Sequence, residues 1–223
     1  MSVHNLTAEV EAELKKLCHV VDHPVLRHKL TVMREKKTSP LSFRMIMEEI
    51  SQFLAYEATR DLPLRKISIS TPLEAVEADQ VSESPIIVSI MRAGNGMLPG
   101  MMRILPFAAV GHVGMYRDKF IHTTVEYYFR LPKDVKDRRI LLLDPMLATG
   151  ETASAAIDRL KTYGVGQIRF ICLLAAPVGI RKLKAAHPDV EIYTTSLERC
   201  IDEQGYIRPG VGDAGERLYD LSL

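Results

Sequence analysis

The stretch Ile140-Leu141-Leu142-Leu143-Asp144-Pro145-Met146-Leu147-Ala148-Thr149-Gly150-Glu151-Thr152 constrains the fold of this chain more than any other. Its four consecutive aliphatic residues are apolar on both faces, which suits a parallel strand covered by helices on two sides. Residues 152–163 follow with Ala156, Ile157 and Leu160 on one helical stripe. The run therefore reads as a buried strand, a tight loop and a crossover helix, the unit of an α/β sheet. At such a junction the unpaired N–H groups of the helix start face outward, Gly150 permits close approach, and Thr149 and Thr152 add hydroxyl donors. Together these make a phosphate cradle. Asp144, at the carboxyl end of the strand, is placed to accept hydrogen bonds from the vicinal hydroxyls of a sugar attached to that phosphate. A plain capped helix after a strand shares every feature except the acidic strand end.

Further β-branched and aliphatic runs, at 86–90, 108–115, 168–175 and 191–195, alternate with helical patterns from about Pro63 onward. The first sixty residues read instead as helical. Thr38-Ser39-Pro40 offers a cap and a first-turn proline, and Phe43, Ile46, Met47, Ile50, Phe53 and Leu54 follow at helical spacing. Val10, Leu14 and Leu17, then Val25, Leu26, Leu30 and Met33, mark two earlier helices separated near Asp22-His23-Pro24. The expectation is one domain over 1–223, with a helical region at 1–62, an α/β core at 63–200 and a C-terminal segment at 201–223. In that segment, residues 205–215 hold four glycines and a proline, too irregular for the interior of a helix or strand. Such a loop in a compact domain is more often functional than idle.

Charge and cysteine usage narrow the function classes. Lys plus Arg at 29 against Asp plus Glu at 28 leaves a formal charge of +1, so no global field attracts nucleic acid or an anionic membrane and any anion site is local. Cys18, Cys172 and Cys200 are odd in number and widely spaced, which speaks against a disulfide framework or zinc knuckle and fits a reducing compartment. The N-terminus is charged, and no run approaches the ~20 apolar residues of a membrane span, so a soluble cytoplasmic protein is expected. His19 and His23 stand four apart with Asp22 between them, but Pro24 ends the helical geometry and no third metal ligand is near in sequence.

Two well-known nucleotide loops are excluded by spacing. No Gly-x-x-x-x-Gly-Lys-[Ser/Thr] occurs. In Arg92-Ala93-Gly94-Asn95-Gly96-Met97-Leu98-Pro99-Gly100 the third glycine of a dinucleotide fingerprint would fall at 99, where Pro99 stands. What remains is a tight turn presenting Arg92 and several backbone amides at a strand end, which fits a doubly charged leaving group. Met91, Met97, Met101 and Met102 crowd this segment and read as helix packing or a subunit contact.

Taken in order, these segments resemble the uracil phosphoribosyltransferase family of the type I phosphoribosyltransferase superfamily. Residues 144–150 resemble that family's binding loop for phosphoribosyl pyrophosphate (PRPP). Most phosphoribosyltransferases carry two adjacent acids there, whereas this family places a proline, here Pro145, second. Arg92-Ala93-Gly94, residues 111–118, 125–128 and 212–215, His23-Pro24 with His28-Lys29-Leu30, and residues 56–62 match further family segments, from about residue 20 to the end. Two positions depart from the pattern: Glu151 stands where many members carry glycine, and Asn95 replaces an apolar residue.

The resemblance implies a central, mostly parallel sheet flanked by helices, with N-terminal helices and a C-terminal base-binding hood. It implies transfer of the 5-phosphoribosyl group from PRPP to N1 of uracil, giving UMP and pyrophosphate. Asp144, Pro145, Met146, Leu147, Ala148, Thr149, Gly150, Glu151 and Thr152 would hold the ribose hydroxyls and 5-phosphate, and Arg92 and Arg117 the pyrophosphate. Asp213 would lie on the ribose and magnesium side of the same site. Ile207, Gly212, Asp213 and Ala214 match the uracil-binding segment, which reads the base through its main chain, and Asp144, Asp213, Arg92 and Arg117 are the implied catalytic residues. Mg²⁺ would arrive with the pyrophosphate and be held mainly by substrate. A homodimer or higher homo-oligomer and a GTP effector are implied partners, with no nucleic acid and no membrane. A PRPP-sensing regulator would be expected to show a basic face and a two-acid loop, and a purine or orotate transferase a different segment over 206–215.

Overall fold

The computed structural model describes residues 6–117 and 124–221. The chain begins with α1 (Ala8–Leu17), the two-residue strand β1 (His19–Val20), α2 (Pro24–Arg34) and α3 (Pro40–Ala58). A hairpin of β2 (Leu64–Ser70) and β3 (Ala75–Val81) precedes β4 (Ile86–Met91), α4 (Leu98–Ile104), β5 (Ala109–Arg117) and β6 (Thr124–Arg130). Then come β7 (Ile140–Leu143), β8 (Met146–Leu147), α5 (Glu151–Thr162), β9 (Ile168–Ile171), β10 (Leu174–Ala175), α6 (Pro177–Ala186) and β11 (Glu191–Thr194). The short strands β12 (Ser196–Leu197), β13 (Cys200–Ile201) and β14 (Ile207–Arg208) and the helix α7 (Ala214–Tyr219) complete it. Local chemistry accounts for the helix starts. The Ser39 hydroxyl accepts from the Ser42 N–H with Pro40 in the first turn of α3, and His23 Nδ1 accepts from the Val25 N–H at the start of α2.

Seven strands form one sheet in the order β1-β11-β9-β7-β4-β5-β6, parallel throughout except at the edge pair β5–β6. From β4 the chain crosses through α4 to β5, and from β7 it crosses the opposite way through α5 and α6 to β9 and β11. Right-handed crossovers running in opposite directions put their helices on opposite faces. One face carries α1, α5 and α6, the other α2, α3, α4 and α7. The apolar run at 140–143 serves both: Ile140 and Leu142 join the core with Ile157 and Leu160, while Leu141 and Leu143 join Met47 and Met101. β4 and β7 are therefore neighbours whose crossovers diverge, and in open α/β sheets ligands bind at the carboxyl ends of such a pair.

Two devices fix the loops at this end of the sheet. Just beyond β7, β9 and β11, the strands β8, β10 and β12 pair in parallel, aligning Met146 with Leu174 and Leu174 with Ser196. On the other side α4 lies close on α3, because a Cβ at Gly100 would overlap the Glu48 carbonyl oxygen. The loop after β7 and the turn before α4 are thus both anchored.

The N-terminal region is helical as read, except that His19–Val20 adds an edge strand, with His19 stacked on Tyr193 (4.5 Å between centroids) and 3.4 Å from Glu191. The tail departs from its reading in part: Ile207–Arg208 pairs with Cys200–Ile201, and α7 opens at Ala214. Its glycines bend the chain between these elements instead of excluding them. Cys18 and Cys172 are buried and free, with burial pushing the Cys18 thiol up to about 11 and Cys172 further, and Cys200 is exposed. No helix among the described residues is long and apolar enough to cross a membrane.

Candidate active site

The loop leaving β7 turns under tight backbone constraint. Gly150 has φ +81° and precedes α5 without a capping side chain, and a Cβ there would sit 3.0 Å from the Gly179 carbonyl oxygen. Reciprocally, a Cβ at Gly179 would lie 2.5 Å from the Ala148 oxygen, so residues 147–150 rest directly on the first turn of α6. Ser154 N–H donates to the Gly150 carbonyl, and Glu151 N–H to Thr149 Oγ1 at 3.4 Å. The main-chain N–H groups of Thr149, Gly150, Thr152 and Ala153 find no acceptor among the described residues. Amides left without acceptors at a helix start that has no capping side chain have the geometry that suits an anion.

Asp144 stands half-buried at the mouth of this loop. Burial pushes its carboxyl up from 3.8 to about 7, against a smaller opposing effect from the Met146 N–H, which donates to Oδ1 at 3.2 Å. Glu151, the departure from the family pattern, directs its carboxylate to Lys182 at 3.1 Å. Its presence leaves the amide row in place.

The turn after β4 faces this loop from the neighbouring strand. The Met91–Arg92 peptide is cis, and Ala93–Gly96 forms a single 3₁₀ turn. Gly94 sits on the end of β7, where a Cβ would be 2.5 Å from the Leu143 carbonyl oxygen. Asn95, the second departure, accepts the Ser89 hydroxyl at 2.6 Å, and Ser89 also bonds His112 Nδ1 at 2.8 Å, so this polar group is satisfied beneath the turn. The Arg92 guanidinium is exposed and makes no hydrogen bond or ion pair among the described residues. Arg117 ends β5, and its side chain, like Asp118, lies outside the described residues.

The tail closes over the same turn. Tyr219 Oη donates to the Arg92 carbonyl at 2.9 Å, Gly96 packs under Leu218, and Gly215 abuts Ala93. Ile207 and Val211 turn their side chains into the core, at 4% and 5% exposure. Gly212 has φ +79° with open space where a Cβ would be, and its nearest neighbour is Arg217 Cδ at 3.8 Å. Asp213 caps α7 through Oδ1, which accepts from the Glu216 N–H at 2.9 Å, while Oδ2 has no partner among the described residues. Ala214 is buried at the first position of that helix. Tyr219 and His112 were not legible here, because each acts through a neighbour distant in sequence, Arg92 and Ser89.

Chemistry, not volume, locates the site. A groove of about 1330 Å³ opens near α1, β1 and β11, and none of the phosphate, pyrophosphate or base residues read from sequence lines it. Four of its arginines are already paired, Arg27 with Asp22, Arg34 with Glu198, Arg60 with Glu57 and Arg169 with Asp61. Among the described residues no group of three or more His, Cys, Asp and Glu gathers to hold a metal.

Known proteins resemble the whole arrangement. A family model described as uracil phosphoribosyltransferase matches residues 20–220. Proteins named uracil phosphoribosyltransferase from Brucella abortus and Delftia acidovorans are 52% and 50% identical, each over 90% of this chain and 97% of their own length. A solved structure from Aquifex aeolicus has a TM-score of 0.86 at 32% identity, covering 92% of this chain and 98% of that one.

The raised Asp144 carboxyl predicts a pH signature. The folded protein keeps this proton up to about pH 7 and the unfolded chain only to about 3.8, so folding takes up a proton between those values. The associated stability is full below the lower value and is lost as pH rises through the upper one. Asp144→Asn keeps the shape without a charge to desolvate. In urea unfolding of the ligand-free protein it is expected to match wild type near pH 4 and to exceed it by about 1–3 kcal/mol at pH 8. Equal stability at pH 8 would mean that the carboxylate is fully solvated.

Proposed function

The chain belongs to the uracil phosphoribosyltransferase family, and from that premise we propose how its residues share the reaction. The enzyme transfers the 5-phosphoribosyl group of PRPP to N1 of uracil, yielding UMP and pyrophosphate for pyrimidine salvage. The observation that carries the assignment of roles is the set of amides at Thr149, Gly150, Thr152 and Ala153, without acceptors among the described residues, beside the Asp144 carboxyl at the switch point between β4 and β7. In this reading the amides and the Thr149 and Thr152 hydroxyls hold the 5-phosphate, and Asp144 accepts the ribose hydroxyls. Arg92, without a side-chain partner among the described residues, and Arg117 hold the pyrophosphate.

The anomeric centre passes through an oxocarbenium-like state, so the requirement is stabilisation of a departing dianion and alignment of the base, not a strong general base. The donor set fits a magnesium ion that stays mainly on substrate oxygens. Pro145 removes a second strand-end carboxylate, and Asp144 with Oδ2 of Asp213, which has no partner among the described residues, are hard oxygens at hand. The chemistry such an ion would supply is neutralisation of charge on the departing pyrophosphate. The base is read by main chain over 212–214, where an N–H facing O4 and a carbonyl facing N3–H suit uracil and oppose the amino group of cytosine. GTP as an effector is carried by the resemblance alone.

The homo-oligomer has its best support in the β2–β3 hairpin. Two strands paired only with each other form a ribbon that is marginal alone. This one exposes Leu64, Ile69, Leu73 and Val76, with Leu73 at 95%. A second copy of the chain is the expected cover, and a monomer by light scattering at micromolar concentration would remove that reading.

Steady-state kinetics on uracil and cytosine test the roles together. Asp144→Asn is expected to lose about ten- to hundredfold in kcat/KM, the worth of a charge-assisted hydrogen bond. Val211→Ala trims a core side chain and keeps every main-chain group, so the uracil KM is expected to hold. Gly212→Val forces a β-branched residue to φ +79° and is expected to raise it. Cytosine should be a very poor substrate throughout, because an N–H is left unpaired, a penalty of about 1–3 kcal/mol. Wild-type kinetics in Asp144→Asn, or an unchanged uracil KM in Gly212→Val, would dismantle this assignment.

A further inference from the structure

A buried ion pair ties the base-reading tail to the second helix of the chain, at a place the reaction does not touch. Glu198 follows β12 and is 1% exposed. Each of its oxygens is doubly satisfied. Oε1 accepts from Arg34 Nη2 at 2.5 Å and from Ser196 Oγ at 2.6 Å, and Oε2 accepts from Arg34 Nη1 at 3.0 Å and from the Gly210 N–H at 2.9 Å. Arg34, half-buried at the last position of α2, also donates from Nη1 to the Gly210 carbonyl at 2.8 Å and from Nη2 to Ser196 Oγ at 3.2 Å. Both main-chain groups of Gly210 are therefore held by one ion pair. That residue has no freedom to replace them, since it sits at φ +61° with a would-be Cβ against the Ile207 carbonyl oxygen.

The other side of the bend is held to the same helix end. Arg217 donates to the carbonyls of Met33 and Glu35, each at 2.7 Å, and to that of Val211 at 2.8 Å, with its guanidinium 4.4 Å from the Phe43 ring centroid. The carbonyls that a helix terminus leaves unsatisfied are thus taken by the tail. Residues 33–35 act as an anvil on which 210 and 211 are set, immediately before the segment assigned to the base. Burial alone would raise the Glu198 carboxyl, yet the hydrogen bonds from Arg34 and Ser196, with the Arg34 charge, hold it below the usual carboxylate range. The pair is therefore ionised in the folded protein.

We propose that Arg34 and Glu198 are positioning residues for uracil: by fixing both main-chain groups of Gly210 they set the register in which the backbone of 212–214 meets the base. The argument rests on the reading that this tail recognises the base. A surface ion pair would not do this work, but a buried, fork-shaped pair has one geometry, and its loss leaves a charge unpaired and the bend unsupported. The phosphate loop after β7 and the turn after β4 have their own anchors, so the effect should fall on the base and leave PRPP alone.

The test is a split between the two Michaelis constants in Glu198→Gln, Arg34→Lys and Gly212→Val, each checked for folding by thermal melting. Glu198→Gln keeps the shape and removes the charge. Arg34→Lys keeps the charge and cannot reach both Glu198 oxygens and the Gly210 carbonyl together. The uracil KM is expected to rise about tenfold or more in Glu198→Gln and about fivefold in Arg34→Lys, with the PRPP KM within about twofold, and Glu198→Asp should recover part of the loss. A pair that merely stabilised the fold would lower the melting temperature and the active fraction while leaving both KM values alone, and that outcome would overturn the proposal. So would equal rises in both KM values. Should Glu198→Gln fail to fold, Arg34→Lys decides by the same criterion. If Gly212→Val raises the uracil KM and the pair variants do not, the positioning role falls while base reading by the tail survives. If none of the three raises it, the tail is not the base reader and the positioning role falls with that reading.

Discussion

Main chain meets main chain without room for a Cβ at the carboxyl ends of β4 and β7, and the site depends on that contact. Gly94 lies on the Leu143 carbonyl, and Gly150 and Gly179 press the loop after β7 onto α6. Because these contacts are backbone to backbone, they place the Arg92 turn and the amide row as rigidly as the sheet itself. Side-chain packing alone would leave a looser geometry. The diverging crossovers then keep both helices clear of the crevice between the two strand ends.

On this rigid base the enzyme carries two kinds of unsatisfied group. Amides and an arginine without partners among the described residues suit anionic oxygens, and a carboxyl that burial has pushed up to about 7 suits hydroxyl donors. Neither arrangement favours the ligand-free fold. Stability is recovered where the ligand does not reach, in the apolar layers on both sheet faces and in saturated polar groups such as the Ser89–Asn95–His112 chain beneath the turn. Function and stability are thereby separated in space, which is the usual way a fold tolerates a strained or desolvated site.

Much of this was legible because the decisive signals are local. The run at 140–143 announces a strand buried on both faces, Asp144 marks its end and Gly150 its turn, and Ser39-Pro40 announces a helix start. The strands expected at 86–90, 108–115, 140–143, 168–175 and 191–195 all occur, the fourth as β9 and β10 with a break at 172–173. What escaped depends on contacts between distant residues. His19–Val20 is a strand only because β11 offers an open edge, and α7 forms because Asp213 caps it and Leu218 finds a core beside Gly96. The Arg34–Glu198 pair spans most of the chain, and neither residue carries a local pattern that sets it apart from a solvated charge. Asn95 and Glu151, read from sequence as departures, each have a partner in the fold, Ser89 and Lys182.

The central claim is that in the proposed site main chain holds the phosphate and the base, from the loop after β7 and from the tail, while the Asp144 side chain holds the ribose at the ends of β4 and β7. A crystal structure of the protein with UMP tests it most directly. The account predicts the phosphate on the amides of 149–153, both ribose hydroxyls on the Asp144 carboxylate, and the uracil edge against the main chain of 212–214. A nucleotide lodged in the groove lined by Arg27, Arg60 and Tyr193, or a base read by side chains away from the tail, would contradict it.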